Sequence, residues 1–133
     1  LPQSCKYVDD YAFAGAKNMK FIDLGGVQYI GREAFNNSAC ESIILPDSVR
    51  FVGSNAFSAP YIKAIHLNDG LRVLDEGAFF TYGKGKGVTI PASVAYIGYQ
   101  AFGYCPVDPE NPFGGLTKID GFLKYKEPKG RSS

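Results

Sequence analysis

The one histidine of this 133-residue chain, His66, lies between Ile65 and Leu67. Acid–base or nucleophilic chemistry would require a hydroxyl or thiol and an orienting carboxylate beside that imidazole. No Ser/His/Asp arrangement assembles around it, and Glu33, Glu41, Asp75 and Glu76 fall at turn-rich positions where charges are usually solvated. Zinc would need Cys and His ligands at close spacing. Cys5, Cys40 and Cys105 are far apart, so we read them as small buried hydrophobes. Spacing also argues against a disulfide framework, although Cys5 and Cys40 could approach across a repeat. Lys84-Gly85-Lys86 suggests a phosphate cradle, but the Gly-x-x-x-x-Gly-Lys-Ser/Thr spacing is missing and no helical pattern follows. The expectation is no catalysis, no metal and no cofactor.

Recognition chemistry has more support. Tyr7, Tyr29, Phe51, Val73 and Tyr96 recur at nearly constant intervals, each just before an aliphatic residue. If these side chains point outward they form an aromatic ladder whose phenolic tips suit contact with a protein or a glycan. The same ladder could instead serve to staple neighbouring strands. A second row, Asp23, Ile44, His66, Thr89 and Asp120, occupies the middle of short alternating segments such as Ile43-Ile44-Leu45. Beside it run Phe21, Ser42, Ala64, Gly87 and Lys118. The candidate partner-binding residues are therefore Phe21, Asp23, Ile44, His66, Thr89, Tyr7, Tyr29, Phe51 and Tyr96.

Both rows depend on a repeat. Ala-Phe occurs at Ala12-Phe13, Ala34-Phe35, Ala56-Phe57, Ala78-Phe79 and Ala101-Phe102, with 22, 22, 22 and 23 residues between phenylalanines. A period in the low twenties marks a solenoid of stacked coils. Within a coil, the alternating segment turns its outer two residues inward and its middle one outward, as a half-buried strand does. Pro46 and Pro91 then end pairing, having no N–H to donate. The Val-x-x-Ile segment crosses the opposite side, and a glycine is expected to allow the bend into the Ala-Phe corner. Coils stack at roughly 4.8 Å, so each Phe should lie against the next.

The pattern Leu-Pro-x-Ser-Val-x-x-Ile-Gly-x-x-Ala-Phe is clearest at Leu45 to Phe57 and at Ile90 to Phe102. It resembles the BspA-like class of leucine-rich repeats. That resemblance implies a β-rich leucine-rich-repeat solenoid of about five stacked 22–23-residue coils, with short parallel strands and an irregular C-terminal cap. It also implies a secreted or cell-surface interaction or adhesion module of bacteria or protists, without catalytic motif residues. The alternative is a structural spacer within a longer surface protein. Residues 1–122 would form the solenoid, and residues 123–133 a basic flexible tail. The Pro-rich stretch 105–115 is either a cap over the last coil or a protruding contact loop.

Composition narrows the partners. With 14 basic and 13 acidic residues, nothing draws the chain as a whole to nucleic acid. No run approaches the ~20 apolar residues of a membrane helix. Leu1-Pro2-Gln3-Ser4 matches the middle of a repeat, so the chain is expected to be either a fragment of a longer protein or a form trimmed after secretion. An uncapped first coil would expose a sheet edge and favour a dimer through it.

Overall fold

A computed structural model describes residues 1–80 and 88–103 and the backbone of Thr117–Ile119. The described strands are β1 (Tyr7–Val8), β2 (Tyr29–Ile30), β3 (Ser42–Ile44), β4 (Phe51–Val52), β5 (Ala64–His66), β6 (Val73–Leu74), β7 (Val88–Ile90), β8 (Tyr96–Ile97) and β9 (Thr117–Ile119). They pair in parallel, as expected of a solenoid. One five-stranded sheet runs β1-β2-β4-β6-β8, and the other side carries the pairs β3–β5 and β7–β9.

The most continuous sheet therefore belongs to the Val-x-x-Ile side, not to the alternating segments read as the strand face. Burial within those segments still follows the expected order: Ile43 and Leu45 are buried around exposed Ile44, and Val88 and Ile90 around exposed Thr89. The first such segment, Ile22-Asp23-Leu24, forms no strand. The turn follows it, at Gly25-Gly26. The Asp23 carboxylate accepts the Gly25 N–H at 2.9 Å, and the Asp23 carbonyl accepts the Leu1 nitrogen at 2.6 Å. A second correction concerns register. The Cα partner of Thr89 is Lys118, so Lys118, not Asp120, continues that row.

The Ala-Phe corners make a third set of links between coils. The amides of Phe13, Phe35, Phe57 and Phe79 donate to the carbonyls of Ala34, Ala56, Ala78 and Ala101 at 2.6–2.8 Å. Two residues before each Phe the backbone is left-handed, at Tyr11, Glu33, Asn55, Gly77 and Gln100, with φ between 52° and 65°. A side chain there costs about 1–2 kcal/mol. The conformation aims the amide along the stack. Tyr11, Glu33, Asn55 and Gly77 donate to Arg32, Ser54, Glu76 and Tyr99 carbonyls at 2.9–3.1 Å.

Gly31, Gly53 and Gly98 serve a different purpose from the expected bend. None has the positive φ that would demand glycine. A Cβ on Gly53 would lie 2.7 Å from the carbonyl carbon of Gly31, and one on Gly98 only 2.3 Å from the Glu76 nitrogen. Close approach of one coil's backbone to the next requires these glycines.

Inside, the phenylalanines form a column: Phe35 and Phe57 stack at 4.8 Å and 2°, Phe57 and Phe79 at 5.2 Å and 2°. Phe13 and Phe102 extend it at 5.2 and 5.8 Å. Full burial of Phe35, Phe57 and Phe79 contributes roughly 1.5–3 kcal/mol each. Val27, Val49, Leu71 and Val94 line the same core, with Ile30, Val52, Leu74 and Ile97 from the long sheet. The serines of the repeat tie coils together: Ser48 Oγ donates to the Val27 carbonyl at 2.7 Å, and Ser93 Oγ to Leu71 at 2.8 Å. Buried Asn68, where other coils have Pro46 and Pro91, bonds the Val49 carbonyl at 2.9 Å through Nδ2.

Candidate functional site

Parallel register converts the 22-residue spacing into one row on the long sheet. Tyr7 pairs with Tyr29, Tyr29 with Phe51, Phe51 with Val73, and Val73 with Tyr96. Strand alternation turns this row away from the core, because Val8, Ile30, Val52, Leu74 and Ile97 next to it face inward. Tyr7 is 67% exposed and Tyr29 39%. Phe51 and Tyr96 are half-buried. Tyr29 and Phe51 stack at 4.6 Å with planes 3° apart, and Tyr7 tilts 51° against Tyr29 at 6.1 Å. Val73 interrupts the aromatic run before Tyr96. Since the stacked faces cover one another, the row offers ring edges and phenolic tips to solvent.

Charge is distributed unevenly along the row's two margins. On one side the ladder links Lys6, Gln28, Arg50, Arg72 and Ala95, all exposed. On the other stand Asp9 and Asp75 among the glycines. Between the first two coils, Arg32 Nη2 donates to the Tyr11 hydroxyl at 2.8 Å, and its guanidinium lies 5.7 Å from that ring's centre. The Tyr11 hydrogen bond, with a smaller contribution from Glu33, raises the Arg32 pKa above its ordinary value.

The second candidate row is less coherent. Ile44 and His66 are exposed and in register, but β5 and β7 are not hydrogen-bonded, so Thr89 is not continuous with them. Phe21 and Asp23 are exposed, outside any strand. Of the corner acids, Glu41 pairs with Lys63 at 3.5 Å and Lys20 at 4.0 Å. His66 has no hydroxyl or carboxylate partner among the described contacts. No group of three or more His, Cys, Asp or Glu among the described residues could hold a metal.

Cys5 is half-buried and Cys40 buried, both as free thiols. Burial pushes the Cys40 thiol pKa up, against a lowering hydrogen bond with Ser38. Tyr99, three residues beyond Tyr96, is buried. Cys105, Tyr104, the Lys84-Gly85-Lys86 loop, the 105–115 stretch and the basic tail lie outside the described residues.

One concavity escaped sequence reasoning. A pocket of about 280 Å³ is lined by Lys17, Asn37, Ser38, Ala39, Pro60 and Tyr61. It lies just past the Phe corners of three successive coils. Asn37 is left-handed at φ 54°, matching Gly15 two residues after Phe13. That glycine–asparagine correspondence was a usable signal. The break at Pro60 was another, because proline cannot continue an amide ladder.

The family model described as BspA type Leucine rich repeat region matches residues 1–107 in six copies. No curated protein and no solved structure matches the chain. Repeat regions of this kind are commonly found in surface-associated bacterial proteins, often serve protein interaction and are typically non-enzymatic. The coil-by-coil register, the stacked Phe column and the matched span agree: the chain belongs to the BspA-type leucine-rich-repeat family.

Proposed function

We propose that this chain is a non-catalytic interaction module of a cell-surface or secreted protein, binding a protein or glycan through its aromatic row. The observation that carries the reading is the exposure of Tyr7 and Tyr29 on a sheet already held rigid by the Phe column beneath. Ordering such side chains on binding costs little, because tyrosine has few rotatable bonds and neighbouring rings restrict them. The cationic margin of Lys6, Arg50 and Arg72 would orient a partner across the row and accelerate its encounter.

Binding is tested by pull-down against extracellular-matrix proteins and by a glycan array. Paired Tyr7→Ala and Tyr29→Ala substitutions should abolish the signal while circular dichroism stays unchanged. Absence of binding by the folded chain at micromolar concentration would overturn the proposal and favour the spacer role.

A further inference from the structure

The pocket past the Phe corners has the composition of a small-ligand site. Three of its four polar side chains are uncommitted: among the described residues Lys17 joins no ion pair, and no hydrogen bond engages the Asn37 side chain or the Tyr61 hydroxyl. Tyr61 is 61% exposed and, unlike Tyr7, Tyr29 and Phe51, stacks on no other described ring. An open aromatic face beside hydrogen-bonding side chains suits the apolar face and hydroxyls of a sugar ring. The lining carries one cation, Lys17, and no carboxylate. At about 280 Å³ the space falls at the lower end of ligand pockets and suits a single ring.

The framework around it is built, not incidental. The Asn37 amide donates to the Ser58 carbonyl at 2.8 Å and the Ala39 amide to the Ala16 carbonyl at 3.0 Å, fixing the three coils against one another. Ser38 is buried, and its Oγ accepts the Cys40 amide at 3.4 Å. Asn37 holds a left-handed backbone that favours glycine.

We infer that the pocket binds one acidic sugar residue of the uronic-acid type, with the ring on Tyr61, the carboxylate at Lys17 and hydroxyls at Asn37. This site is separate from the aromatic row and does not depend on its role. The test is saturation-transfer NMR on the full chain, with glucuronate as probe and glucose and acetate as comparators. Glucuronate should receive saturation from aromatic protons, and glucose should bind at least about tenfold more weakly, lacking the charge-assisted bond. Lys17→Met should reduce glucuronate to the level of glucose. Tyr61→Ala should remove binding and Tyr61→Phe retain it, while Tyr29→Ala leaves it intact. No transfer at tens of millimolar glucuronate, equal response to glucose, or undiminished binding by folded Tyr61→Ala would each overturn the assignment.

Discussion

Two aromatic columns run side by side through this solenoid, one inside and one outside. Phe35 stacks on Phe57 at 4.8 Å and 2°; Tyr29 stacks on Phe51 at 4.6 Å and 3°. The geometry is nearly the same because the same coil spacing imposes it. The environment is not. Phe35 and Phe57 are fully buried, whereas Tyr29 keeps 39% of its surface in solvent. Stacking is thus a consequence of the repeat, while burial decides which column stabilises and which remains available to a partner.

The sharpest way to break the comparison is to remove one ring from each column. Phe57→Ala, at the centre of the inner stack, should cost about 3–5 kcal/mol and unfold much of the chain near room temperature. Urea denaturation measures this directly. Between the columns, Gly53→Ala drives a Cβ into the Gly31 backbone, where no side chain can yield. A loss of about 1–3 kcal/mol is expected in the same assay. Tyr29→Ala should cost only about 0.5–1.5 kcal/mol, the value of a stacked aromatic pair. A loss as large as that of Phe57→Ala would mean that the outer column is structural.

Thiol chemistry sharpens the same contrast between inside and outside. Half-buried Cys5 should react with a thiol reagent in the native state, and Cys40 only after unfolding. The raised Cys40 pKa also makes a pH prediction. A proton held more tightly by the folded state stabilises most below the unfolded thiol's pKa. That contribution disappears as pH rises from about 9, the ordinary value, through the raised one. Cys40→Ala should flatten the alkaline decline seen by denaturation at several pH values. The smallest effect concerns the left-handed corners. Glu33→Gly relieves side-chain strain but adds unfolded-state entropy, so stability should move by less than about 1 kcal/mol.

Much of this was legible from residue spacing. The interval between Ala-Phe pairs predicted coils and a Phe stack, and the residue before each inward aliphatic predicted the outer row. Spacing was less informative about the first coil. Ile22-Asp23-Leu24 has the alternation of a strand, yet the Asp23 side chain accepts the Gly25 amide and no strand forms. Pattern records which faces are apolar but not whether a polar side chain will compete for the backbone. The glycines show the same limit. Their type was evident, whereas their reason, a neighbouring coil less than 3 Å from an absent Cβ, belongs to the stacked structure.

Local sequence, repeated at a constant interval, determined the family, the coil and the burial of Phe35, Phe57 and Phe79, since periodicity alone decides which side chains recur on one face. Tertiary stacking decided the rest. It made the Val-x-x-Ile side the longer sheet, placed Lys118 opposite Thr89, and brought Lys17, Asn37 and Tyr61 from three coils to one pocket. Register and concavity arise between coils, from contacts that no single repeat contains.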